Sequence, residues 1–144
     1  MNYKEDQMQL SNTSRYTIRI LAYMVNYKDS PLISAKVLSE SLNIPYKFLT
    51  KIMTELVRVG FIESIRGREG GYKFLKEASQ ITVADVLTLF NDAIKDEECI
   101  LGIKSCDAKA KCALHDRWLK SKVQLQKVFR ESTIESIASE GNKI

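Results

Sequence analysis

Apolar side chains recur at spacings of three and four along the first part of the chain, and that rhythm predicts helices. Tyr16, Ile20, Met24 and Tyr27, with Leu21 and Val25 beside them, predict a first helix over about residues 11–27. Ser11 or Thr13 stands where a cap would start it, and Asp29-Ser30-Pro31 ends it. Ser34 opens a short second helix carrying Val37, Leu38 and Leu42, and Asn43 turns the chain. Pro45 suits the first turn of a third helix, where its missing N–H would be unpaired anyway. That helix runs to about Val59, and Gly60 stops it in a left-handed conformation. Its two faces differ sharply. Phe48, Leu49, Ile52, Leu56 and Val59 form the apolar one; Lys47, Thr50, Lys51, Thr54 and Arg58 form the opposite one.

The rhythm then changes. Residues 61–66 and 72–75 are rich in β-branched and aromatic side chains, and Gly67, Gly70 and Gly71 between them allow a tight hairpin. Residues 79–92 return to a helix with Val83, Val86, Leu87 and Phe90 as its buried stripe, and Thr82 with Asp85 fits a capping box. A long helix follows over about residues 113–132. Leu114, Trp118, Leu125 and Phe129 mark one stripe, with Leu119, Val123 and Val128 alongside. That apolar surface is wider than a small domain covers, which predicts pairing with a second copy. A short last helix, residues 133–140, ends at Gly141.

Two short helices joined by a few residues, the second with a basic and hydroxyl-bearing outer face, describe a helix-turn-helix. A hairpin directly after the second one is the wing of a winged helix. The expected fold is therefore mainly α with a small β-hairpin wing: a winged helix-turn-helix plus a long dimerisation helix. Residues 8–78 are the expected DNA-binding domain and 79–98 a connecting helix. Residues 99–115 are the expected cysteine-rich loop, and 113–140 the dimerisation and C-terminal helices. Side chains near the start of a recognition helix reach base edges in the major groove, which singles out Tyr46, Lys47, Thr50 and Lys51. Arg66 and Arg68 at the wing tip reach phosphates or the minor groove. The glycines do not make a nucleotide loop, since the Gly-Lys-Ser/Thr ending is missing and a strand follows.

Charge sharpens this picture more by place than by amount. The net charge is only +4. Yet residues 46–73 carry Lys47, Lys51, Arg58, Arg66, Arg68 and Lys73 against Glu55, Glu63 and Glu69. No run of about 18 apolar residues is present, so no membrane helix is expected. The first ten residues hold no apolar signal core, which points to the cytoplasm.

All three cysteines, Cys99, Cys106 and Cys112, fall in one short stretch, and the single histidine, His115, stands three residues past the last. In a reducing compartment, thiols clustered like this bind metal or sense redox state more often than they form disulfides. Their gaps of six and five residues are wider than the knuckles of most structural zinc sites. Thiolates are soft ligands suited to iron–sulfur clusters or zinc. A cluster usually takes four protein ligands, and His115, one helical turn after Cys112, is the local candidate for the fourth. No acid–base pair or substrate pocket is legible, so an enzyme is not expected.

With these residues in place, the chain resembles the Rrf2 family of bacterial transcription regulators over nearly all of its length from Met8. MQLSNTSRYTIRIL looks like the family's opening helix, and the run I-P-Y-K-F-L-x-K-I at residues 44–52 like its recognition helix. S-I-R-G-R-E-G-G-Y at residues 64–72 is similar to its wing signature, the most specific piece. C-x6-C-x5-C-x2-H-x2-W looks like the cluster loop of its iron–sulfur members. The resemblance implies a homodimer on double-stranded DNA whose affinity is set by a cluster on Cys99, Cys106, Cys112 and His115. In the cluster-assembly branch three cysteines and a histidine hold [2Fe–2S], the histidine standing where His115 does. In nitric-oxide-sensing members a [4Fe–4S] cluster is held, in some with an aspartate from the partner's opening helix. Arg15 occupies that position here, so [2Fe–2S] is favoured over [4Fe–4S]. The first cysteine gap is one residue longer than in the cluster-assembly branch. Glutamate and glutamine of that branch's recognition helix are Thr50 and Lys51 here. The alternative is a DNA-binding repressor that uses thiol redox chemistry or zinc instead of a cluster.

Overall fold

The computed structural model describes residues 10–94 and 113–140. It is mainly helical with one two-stranded antiparallel hairpin. The elements in order are α1 (Asn12–Asn26), α2 (Ala35–Leu42), α3 (Tyr46–Arg58), β1 (Ile62–Ile65), β2 (Gly71–Phe74), α4 (Val83–Leu89), α5 (His115–Glu131) and α6 (Ile134–Glu140).

Local chemistry sets most of the boundaries. Ser11 caps α1 by accepting from the Ser14 N–H at 3.2 Å, and Ser34 caps α2 by accepting from the Val37 N–H at 3.2 Å. Asn43 ends α2 in the left-handed region at φ 53°, a conformation that asparagine tolerates better than most residues. The Ser39 hydroxyl donates to the Ile44 carbonyl at 2.6 Å and holds the turn closed between α2 and α3. Gly60 stops α3 at φ 82°, as its position predicts. Thr82 and Asp85 form the capping box at the head of α4, with bonds of 3.1 and 3.0 Å. That cap starts α4 at Val83, so the helix is shorter than residues 79–92; Ala78–Gln80 form a separate 3-10 turn.

The core lies where α1, α2 and α3 meet β1, and Ile20, Leu21, Leu38, Leu49, Met53, Leu56 and Ile62 are fully buried in it. One expectation about α3 fails at its end. Val59 lies past the last helical turn and is exposed, whereas Met53, outside the apolar face drawn from the pattern, is buried.

The hairpin is held on both sides. Glu63 and Lys73 are cross-strand partners and pair at 3.1 Å. Ile33, just before α2, forms an isolated antiparallel bridge to Tyr72 with two backbone bonds of 3.0 and 2.8 Å, on the side of β2 away from β1. This close approach explains Gly71, because a Cβ there would lie 2.7 Å from the Ile33 carbonyl oxygen. At Gly70 a Cβ would lie 2.1 Å from the Ile65 carbonyl oxygen.

The C-terminal end returns to the same core. α6 packs along α1, Ile134 is fully buried, and the Asn26 side chain donates to the Ala138 carbonyl at 3.1 Å. Thr82 and Thr133 form an antiparallel bridge. The Val83 N–H donates to Ser132 at 2.9 Å and the Ile134 N–H to Ile81 at 2.8 Å. No described helix is long and apolar enough to cross a membrane.

Candidate nucleic-acid interface

The candidate interface is built from α3 and the hairpin. The buried residues Leu49, Ile52, Met53 and Leu56 fix the inward face of α3. The helical period then turns Lys47, Thr50, Lys51, Thr54 and Arg58 outward together. Lys47, Lys51, Thr54 and Arg58 are exposed and Thr50 is half-buried. Tyr46, the first residue of α3, is 56% exposed, unusual for so large a ring. Arg66 and Arg68 are exposed in the turn between β1 and β2, with Gly67 between them at φ 124°.

Charge on this surface is largely uncompensated. Glu55 is engaged by Arg58, whose guanidinium donates two bonds of 2.9 and 2.7 Å to one carboxylate oxygen. Neither Lys47 nor Lys51 makes an ion pair with any described residue. The Tyr72 phenol is held above its ordinary value, first by burial and then by the neighbouring Tyr46. α3 packs against β1, the first strand of the hairpin, so helix and wing are neighbours.

Cys99, Cys106 and Cys112 lie outside the described residues. His115 is the first residue of α5 and is buried, with a partner in the chain. Among the described residues no group of three His, Cys, Asp or Glu side chains gathers. Trp118, one turn after His115, holds the one buried side-chain nitrogen or oxygen among them without a hydrogen-bond partner, its Nε1. Lys122, a further turn along, is buried as well and partnered.

The stretch before the cysteines is tied down at two points that the sequence pattern does not reveal. Asp92 Oδ2 accepts from the Ser11 N–H at 3.1 Å and from the Ser11 and Ser14 hydroxyls at 2.5 Å each. Gln126 of α5 donates to the Ile94 carbonyl at 3.0 Å. A capping serine with no acidic residue three positions on is the one available hint, because it leaves a place for a distant carboxylate.

The family model Rrf2, described as an iron-dependent transcriptional regulator, matches residues 10–140. A putative HTH-type transcriptional regulator of Aquifex aeolicus is 36% identical over 132 residues, which span 90% of this chain and 91% of that one. The HTH-type transcriptional regulator NsrR of Shouchella clausii is 35% identical over 92 residues, 64% of this chain and 62% of that one. Among solved structures, CymR, the global cysteine regulator of B. subtilis, is similar with a TM-score of 0.79 at 20% identity. The match covers 94% of this chain and all of that one. T. potens IscR is similar with a TM-score of 0.71 at 17% identity, over 92% and 87% of the two chains. At these identities the structural likenesses show the winged-helix fold.

Proposed function

We infer that this chain, which belongs to the Rrf2 family of transcriptional regulators, binds duplex DNA through α3 and the hairpin and regulates transcription according to the state of its cysteine segment. The observation that carries the DNA-reading surface is α3 itself. Its outer face presents Tyr46, Lys47, Thr50 and Lys51 free of acidic partners, next to the arginine-bearing turn at Arg66 and Arg68. A neutralised phosphate releases counterions, so affinity is expected to fall steeply with salt.

The segment's ligand is an iron–sulfur cluster in this reading, [2Fe–2S] before [4Fe–4S]. The donor set fits, with three thiolates and an imidazole that α5 holds buried at its first residue. The family's iron dependence supports the same choice. When bound, such a group supplies a charge and ligand set that change with redox state or iron loss. The chain's own part is mechanical. Asp92 joins the entry of the segment to α1, and Gln126 joins it to α5. A change in the segment therefore acts on both helices, and a coupling of about 1–3 kcal/mol would alter DNA affinity roughly 5- to 150-fold.

α5 also supports pairing of two copies. Leu119, Val123 and Val128 are 40%, 49% and 55% exposed on it. A symmetric dimer would cover them and would set two recognition helices on half-sites about 34 Å apart. The second reading keeps the DNA binding but replaces the cluster with thiol redox chemistry or zinc, and the fold likeness to a cysteine regulator favours it. Anaerobic purification with iron and sulfide counts and a visible spectrum separates the two. Matched iron and sulfide, lost in Cys106→Ala, supports the cluster; a colourless protein that resists reconstitution leaves the thiol or zinc switch.

A further inference from the structure

The outer face of α3 carries two threonines, and neither has a donor to offer. Thr50 Oγ1 donates to the Lys47 carbonyl at 3.0 Å, and Thr54 Oγ1 donates to the Thr50 carbonyl at 2.8 Å. A hydroxyl has one proton. With that proton engaged by the helix backbone, each threonine keeps a methyl group and acceptor lone pairs. Beside them Lys47 and Lys51 are exposed ammonium donors without an ion-pair partner among the described residues. The helix has no asparagine or glutamine, and its one carboxylate, Glu55, is held by Arg58 at 2.7 Å.

Each base edge in the major groove asks for a different partner. Adenine shows a donor beside an acceptor and is met by a side-chain amide; cytosine shows a donor and is met by a carboxylate. Guanine shows two acceptors and is met by an ammonium or guanidinium, whereas thymine shows an acceptor and a methyl and is met by another methyl. The α3 face holds partners for guanine and thymine and lacks the discriminating partners for the other two. The threonine lone pairs accept from adenine or cytosine alike, so they separate neither. From Lys47 to Thr54 the helix rises about 10 Å, which spans roughly three base steps of 3.4 Å.

We propose that Thr50 and Thr54 are specificity-determining residues that select thymine by methyl contact while Lys47 and Lys51 select guanine, so that α3 reads a short thymine- and guanine-rich stretch on one strand of each half-site. This rests on the reading of α3 as the DNA-reading helix.

The test uses the full chain, isolated anaerobically, to select duplexes from a random pool. Binding to the selected site is then measured with deoxyuridine replacing thymine one position at a time. Thr50→Ser and Thr54→Ser serve as variants that keep the hydroxyl and remove the methyl. Thymine and guanine should dominate one strand of the half-site. At least one deoxyuridine should weaken wild-type binding about fourfold, the worth of one methyl-sized group removed from water, and that penalty should vanish in one of the serine variants. A selected stretch in which neither strand is rich in thymine and guanine, such as a run of purines facing pyrimidines, deoxyuridine without effect everywhere, or a penalty that persists in both variants would overturn the proposal. Each of those outcomes leaves α3 as the DNA-reading helix. Absence of salt-dependent binding to any duplex would instead remove that reading, and this inference with it.

Discussion

Replacing Asp92 by alanine should unfasten α1 from the end of α4. The carboxylate oxygen accepts three bonds from the first turn of α1, one from the Ser11 N–H and two from the Ser11 and Ser14 hydroxyls. Bonds to a charged group are worth about 1.5–3 kcal/mol each when desolvated. Ser11 is exposed and Asp92 only partly buried, so solvent screening cuts the sum to about 2 kcal/mol, near the upper range for losing a helix cap. Asp92→Asn keeps an acceptor but no charge and should cost about 1 kcal/mol. Burial pushes the Asp92 carboxyl up, but the bonds from Ser11, Ser14 and the Ser11 backbone outweigh it and hold it below its ordinary value. A depressed folded value means that the unfolded chain binds the proton more readily. The contribution is therefore complete above the unfolded value of about 4 and is lost as pH falls through the lower folded value. Urea denaturation should show the gap between wild type and Asp92→Ala near 2 kcal/mol at pH 7 and shrinking toward pH 3. The melting temperature at pH 7 should fall by about 6 °C. A loss under about 0.5 kcal/mol at pH 7, or a gap that does not move with pH, would refute the reasoning.

Gly71→Ala drives a Cβ to 2.7 Å from the Ile33 carbonyl oxygen. It should destabilise the chain by about 1–3 kcal/mol and weaken DNA binding through a displaced wing, read by denaturation and by fluorescence anisotropy. Ile134→Ala empties a fully buried site between α6 and the core and should cost about 2–5 kcal/mol, although the residue is remote in sequence from the proposed DNA-reading surface. Arg66→Ala and Arg68→Ala should each lower the slope of log affinity against log salt by about 1 per lost phosphate contact; an unchanged slope would take that arginine out of the interface. Leu119→Glu with Val123→Glu should turn a dimer into a monomer in analytical ultracentrifugation, and a dimer that survives would move the pairing surface off α5.

The winged-helix fold is legible in the sequence because its signals are local. Caps at Ser11, Ser34 and Thr82, the turn at Asn43 and the stop at Gly60 each act within a few residues. The two faces of α3 follow from one helical period, so the outward positions of Lys47, Thr50 and Lys51 can be read from the residue pattern alone. Long-range pairing is not legible. Nothing near Ile33 announces that it bridges Tyr72, and nothing near Asp92 announces that its partners stand at the start of α1. The glycines at 70 and 71 read as turn-formers, whereas each also clears a neighbouring backbone carbonyl. Met53 escapes the pattern because the apolar face of α3 is wider than the stripe drawn through Phe48, Leu49, Ile52 and Leu56. His115 stands out by its spacing from Cys112 and sits buried at the head of α5, while the three cysteines lie outside the described residues.

The bridge between Thr82 and Thr133 has a consequence for how such a chain can diversify. Seen from the winged core, the polypeptide departs after Asp92 and is stitched back at Thr133. The last part of the chain between those points, α5, packs against α4. With the return fixed by backbone pairing, residues can be added or exchanged between those points without shifting the register in which α6 comes back to the core.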